Sequence, residues 1–222
     1  MHLHSVNVGL PRDVMWHGRE VTTGIYKEPV QGRVAIRRLN LDGDGQADLS
    51  VHGGAEKAVY CYPFEHYAYW KRELPGKDLP FGMFGENLTL EGVSEETVHI
   101  GDRFTFGSAT LVVTQPRLPC YKLGIKFKSD AMVKRFLASG RTGFYFAVES
   151  EGAVAAGDRV AITERESHAV PVSEIVRLYV AKKFNDADVA SVQKALRVDA
   201  LTESWKEHFR ERLTRLARLT AL

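Results

Sequence analysis

Up to about residue 163 the apolar residues fall in short runs broken by Gly, Pro and Asp; beyond Pro171 they recur at helical spacing. Residues 3–8 and 32–41 read as strands. Residues 50–62 end in Ala58-Val59-Tyr60-Cys61-Tyr62, a continuous run that suits a buried strand. Gly101-Asp102-Arg103 opens a strand at 104–106, and after Gly107-Ser108 another covers 109–114, which is a hairpin signal. Residues 143–149 and 160–163, the latter opened by Gly157-Asp158-Arg159, read as a second hairpin. Many short strands at this spacing predict a barrel or sandwich.

Helices interrupt and follow this pattern. Residues 63–74 carry Phe64, Tyr67 and Trp70 on one face. Residues 130–138 carry Met132, Val133, Phe136 and Leu137, with Ser129 or Asp130 as N-cap. Residues 164–170 read as a linker. After it, Ser173 can cap a helix bearing Ile175, Val176 and Tyr179. Asn185, with Asp188 three residues on, can cap a second bearing Val189, Val192 and Leu196. A last helix aligns Trp205, Phe209, Leu213 and Leu216 in one stripe. The expected division is therefore 1–166 and 171–222.

Bulk composition narrows the class without assigning a function. A chain of 222 residues, 44% hydrophobic and 26% charged, can bury a sizeable core. The net charge of +2, from 30 basic and 28 acidic residues, gives no bulk reason for a nucleic-acid or membrane partner. Two cysteines do not make a secreted disulfide scaffold. The first ten residues lack a signal peptide's charged-then-apolar order, and no window approaches the roughly 18 apolar residues of a membrane span. The expected location is the cytoplasm. Three short helices at the end could also read DNA as a helix-turn-helix, but ten Lys/Arg against seven Asp/Glu over 171–222 leave no basic recognition face. Packing, dimerisation or partner docking is the preferred role for that tail.

Four segments could carry chemistry. Cys120 follows Gln115-Pro116-Arg117-Leu118-Pro119, where two prolines stiffen the chain. Arg117 and Lys122 would favour a thiolate, a nucleophile or soft-metal ligand; the bland alternative is a small buried hydrophobe. In His52-Gly53-Gly54-Ala55-Glu56-Lys57 the glycine pair lets backbone N–H groups approach an anion, and Lys57 adds a point charge. It is not a Walker motif and could be a plain turn. Gly85-Glu86-Asn87 could read a heterocycle edge or make an ordinary turn. Thr23-Gly24-Ile25-Tyr26-Lys27 could hold an anion or pterin, though a surface turn is the better reading of that segment alone. Asp42-Gly43-Asp44-Gly45-Gln46 is not a calcium loop, because Ala47 and Gly53 occupy the positions that need Gly and Glu. No zinc motif and no nucleophile elbow is present.

Together the ordered motifs resemble the MOSC family, named after the C-terminal domain of molybdenum cofactor sulfurases. The resemblance rests on Gly43-Asp44-Gly45-Gln46-Ala47-Asp48, His52-Gly53-Gly54 with Lys57-Ala58-Val59, Phe84-Gly85-Glu86-Asn87-Leu88, Gly101-Asp102, and Gln115-Pro116-Arg117 to Cys120. It covers most of residues 20–165. The opening Thr23-Gly24-Ile25-Tyr26-Lys27-Glu28-Pro29-Val30 and the helical tail are similar to the YiiM subgroup, whose members end in three helices.

The resemblance implies a mainly-β, MOSC-type barrel with inserted helices, followed by a small three-helix domain. It implies a molybdenum cofactor ligated by Cys120 and, for the subgroup, reduction of N-hydroxylated bases such as 6-hydroxylaminopurine. In that picture Cys120, His52 and Arg117 are catalytic. Thr23, Gly24, Lys27, His52, Gly53, Gly54, Lys57, Gly85, Glu86, Asn87 and Arg117 hold the cofactor. Cys61 lies in a strand run and belongs to the core. Two cysteines cannot hold a Cys₄ iron–sulfur cluster, and no flavin or dinucleotide fingerprint is present, so electrons would come from a separate flavoprotein or iron–sulfur protein. A homodimer is compatible. The alternatives are a cofactor carrier or storage protein, and a Cys-dependent sulfur carrier.

Overall fold

The computed structural model describes residues 1–47 and 53–220. Asp48 to His52, and with them the expected start of the strand at residue 50, lie outside the described residues. Twelve strands are present among the described residues: β1 (His2–Val8), β2 (Arg12–Trp16), β3 (Arg19–Thr23), β4 (Glu28–Pro29), β5 (Val34–Ile36), β6 (Val59–Pro63), β7 (Leu88–Glu91), β8 (Arg103–Phe106), β9 (Ala109–Pro116), β10 (Phe144–Ser150), β11 (Gly152–Val154) and β12 (Val160–Glu164). Eight form one sheet in the order β12-β8-β9-β10-β6-β7-β1-β4. Only β6 and β7 run parallel; the other neighbours are antiparallel.

The sheet curls but does not close into a continuous barrel. A single bridge, His2 to Arg159, links its two sides, with Leu3 N donating to Asp158 O at 3.2 Å and Gly157 N to Leu3 O at 2.7 Å. The Gly157-Asp158 turn stands where a ladder between β1 and β12 would have to continue. The second expected hairpin also differs. β10 pairs with β6 and β9, whereas β12 pairs with β8. Alternation alone cannot identify a strand's partner when several strands share one core. The strand expected at 32–41 shortens to β5, because Arg37 N turns back onto Asn40 O.

The helices are α1 (Glu65–Glu73), α2 (Tyr121–Phe127), α3 (Ala131–Ala138), α4 (Val172–Val180), α5 (Asp186–Ala195) and α6 (Glu203–Thr220). Neither Ser129 nor Asp130 caps α3 through its side chain; Asp130 instead faces His17 Nε2 at 3.0 Å. α4 starts two residues earlier than a Ser173 cap would give. Pro171, with φ fixed near its observed −61°, precedes it, and Ser173 N is spent on Glu95 O. Tyr179 is exposed, and Val172 and Leu178 join Ile175 and Val176 on the buried face. The Asn185–Asp188 capping box on α5 forms as expected.

Two clusters fill the interior. One is mainly aliphatic and continuous from the sheet to the C-terminal helices, taking in Val6, Phe104, Val113 and Phe146 together with Ile175, Val192, Trp205 and Phe209. The other is aromatic: Tyr62, Trp70, Phe84 and Phe136 stack beneath the segment that carries Cys120. Cys61 is fully buried on β6, within the aliphatic cluster.

Candidate functional site

A cleft opens where β9 ends, β6 begins and the turn after β3 comes together. Its open space, mouth included, is about 620 Å³. Eight of the expected residues line it: Thr23, Gly24, Lys27, Lys57, Gly85, Asn87, Arg117 and Cys120. Residues more than ninety positions apart in sequence therefore meet here.

Two of these glycines sit where a neighbouring segment comes close. A Cβ on Gly24 would lie 2.7 Å from Gly45 O, and one on Gly85, whose φ is +84°, would lie 2.9 Å from Ile25 Cγ1. Only glycine allows the 23–27, 44–47 and 85–87 segments to form one wall.

Behind that wall sits a buried polar knot. Lys27 Nζ donates to Asp44 Oδ1, Asn87 Nδ2 donates to Asp44 Oδ2 at 2.9 Å, and Gly9 N donates to Asp44 Oδ1 at 3.0 Å. Asn87 Oδ1 accepts from Tyr60 N at 3.0 Å. Burial pushes the Lys27 pKa down, while Asp44 acts the other way. Lys27 and Asn87 thus hold the wall in place as well as facing the cleft.

Opposite lies the stiff segment after β9. Arg117 is 5% exposed and its Nη1 has no hydrogen-bond partner among the described residues. A buried guanidinium stays charged, so an orphaned N–H here carries a desolvation cost until something anionic meets it. Its carbon lies 5.3 Å from the ring centroids of Tyr60 and Phe136. Cys120 is partly exposed, is not in a disulfide, and directly precedes α2. Tyr145 and Tyr60 pair across β10 and β6, and burial raises both phenols so that they are neutral at ordinary pH. Lys57 is half-buried, and burial lowers its pKa.

Other expected residues sit elsewhere. Glu86 is fully buried and faces away from the cleft. Its carboxylate accepts from Tyr67 Oη, Gly82 N, Phe84 N and Thr89 Oγ1, which shapes the 82–86 turn. Gly53 and Gly54 do not line the cleft, though Gly54 N donates at 3.0 Å to Oε1 of Gln46, which does. His52 lies outside the described residues. Sequence reasoning did not single out Asp44, Gln46, Tyr60, Lys122 or Tyr145 as site residues, yet all line the cleft. Lys122 was read only as a charge beside Cys120, and Asp44 and Gln46 only as part of the Gly43-to-Asp48 motif, while Tyr145 carried a signal of its own: it alternates with Phe144 and Phe146, which are buried in the core, and so faces the other way.

The MOSC domain family matches residues 48–161, and the YiiM-like 3-alpha helix domain matches residues 170–216. YflK of Bacillus subtilis is 40% identical over 213 residues, covering 96% of this chain and 94% of its own length. A protein of Gibberella moniliformis named Reductase is 34% identical over 196 residues; the match covers 87% of this chain but only 35% of that protein. The crystal structure of YiiM from Geobacillus stearothermophilus superposes with a TM-score of 0.78 at 34% identity, covering 95% of this chain and 99% of that one. The chain belongs to the MOSC-domain proteins of the YiiM-like group.

Proposed function

We propose that this cleft holds a molybdenum cofactor with Cys120 as the protein ligand, and that the chain is an oxidoreductase converting N-hydroxylated bases, such as 6-hydroxylaminopurine, to amines. One observation carries the reading: a buried arginine whose Nη1 has no partner among the described residues and a partly exposed thiol line one cleft. Among the described residues no group of three or more His, Cys, Asp and Glu could hold a metal. A metal seated by one thiol has to bring its other ligands with it, as a dithiolene cofactor does. Lys57 and Lys122 supply further positive charge for its anionic parts. The name of the fungal relative points to the same class of chemistry.

When bound, the cofactor supplies two-electron redox chemistry at nitrogen. Two electrons and two protons cleave the N–O bond; the nitrogen keeps one new hydrogen and the oxygen leaves as water. The electrons come from a separate flavoprotein or iron–sulfur protein. Arg117 meets negative charge on the cofactor, and the stiff Pro116-to-Pro119 segment fixes the Cys120 sulfur against it. Tyr145, a neutral phenol at the cleft wall, holds a proton where the hydroxyl oxygen departs. His52 is a second candidate for this role.

The test is multiple turnover of 6-hydroxylaminopurine with an artificial reductant, with adenine followed by chromatography. Wild type should turn over many times per bound molybdenum, and Cys120→Ser should fall at least about a hundredfold. A loaded wild-type protein that performs no turnover would leave a cofactor carrier as the better reading.

A further inference from the structure

The segment carrying Cys120 has a second open side. There a groove runs between it and the C-terminal helices α4 and α6, sharing Cys120 and Tyr145 with the first cleft and adding Gln115, Tyr179, Trp205 and His208. Gln115 is 4% exposed. Its Oε1 accepts from Trp205 Nε1 at 3.1 Å. An indole nitrogen only donates, so this contact fixes which end of the amide is which. Among the described residues the Nε2 end is left with no partner, and so is Nε2 of His208. Buried polar groups are seldom left this way in folded proteins; ordered water or a ligand completes them. The ring of Tyr179 stands 5.4 Å from that of Trp205 and 5.3 Å from that of His208, so the same groove has aromatic walls.

We propose that this groove is the substrate subsite and takes a planar nitrogen heterocycle of the purine class. The inference rests on the reading of the Cys120 cleft as the redox centre. Gln115 Nε2 donates to a ring nitrogen. His208 Nε2 pairs with a neighbouring ring nitrogen or its hydrogen; burial lowers the His208 pKa, which keeps the imidazole neutral and able to do either. Tyr179 and Trp205 offer the ring aromatic surface. Cys120 lies on both clefts, so a ring seated here presents its exocyclic N–O group to a centre held from the other side. The C-terminal helices then supply the specificity wall of the active site.

Adenine, the expected product, is the probe. Its binding to the full chain is measured by calorimetry, beside molybdenum content. Ser204→Trp fills the groove from an exposed position that is safe for folding. Gln115→Glu keeps the acceptor for Trp205 and removes the donor. His208→Phe keeps the ring and removes its nitrogens. Each should weaken adenine at least about tenfold, with molybdenum content unchanged, since none of the three lines the first cleft. In turnover, KM for the N-hydroxylated purine should rise in Gln115→Glu more than kcat falls. Adenine that fails to bind wild type, or binds Ser204→Trp and Gln115→Glu as tightly, overturns the subsite even where wild type is active. Adenine binding that these variants abolish in a protein without turnover upholds the subsite and overturns the redox reading instead.

Discussion

At the residue scale, the cleft depends on charges that folding has taken out of water. Lys27 and Asp44 are buried together, so removing one leaves the other unpaired. Asp44→Ala is expected to cost about 3–5 kcal/mol in urea unfolding, with much of it recovered by adding Lys27→Met; a loss below about 1 kcal/mol would contradict the buried pair. Lys126 shows the same cost in its pH dependence. Burial pulls its pKa down to about 8, below the unfolded value near roughly 10.4. From about pH 8 to 10 the unfolded chain therefore binds more protons, and stability rises with pH. Lys126→Met should reduce that rise and be the more stable protein at pH 7; identical urea midpoints at pH 7 and 9.5 would contradict this. Such residues were only partly legible. Cys120, Arg117 and Lys57 stand out by type and neighbours, whereas Asp44 looked like part of a turn because its partners Lys27 and Asn87 are remote in sequence.

At the scale of elements, legibility followed how local the cause is. The capping box on α5 was readable because both of its residues lie within one turn. Asn185→Ala should cost about 1 kcal/mol, read as a fall of roughly 2–4 °C in Tm; an unchanged Tm would mean that the box is not formed. The β2–β3 hairpin went unread although His17-Gly18, both at positive φ, is a two-residue turn signal. α2 was hidden by Gly124 at its centre and by the prolines before it. Gly124 gives room there: a Cβ would lie 3.2 Å from Ser129 O, a tight contact where the chain folds back into α3. The strand order stayed out of reach, since the pairing of β12 with β8 rather than β10 is decided by the whole sheet.

At the scale of the molecule, the sheet and the three C-terminal helices are not merely adjacent. They share one hydrophobic cluster, and Trp205 reaches across to Gln115. Arg165 Nη1 donates to buried Asp102 at 2.6 Å, and Ile100 N to Val170 O at 3.0 Å, which ties down the segment expected to be a linker. Cys120 stands between two clefts, one walled by the sheet and its loops, the other by the helices. Among the described residues no helix is long and apolar enough to cross a membrane. The central claim is that Cys120 fixes a molybdenum cofactor in the first cleft. It is tested most directly by the molybdenum content of protein made in a cofactor-competent host, wild type beside Cys120→Ser. The account predicts near-stoichiometric metal in the wild type and its loss in the variant. No molybdenum in either protein, with the host's competence verified on another molybdoenzyme, or equal metal in both, would contradict it.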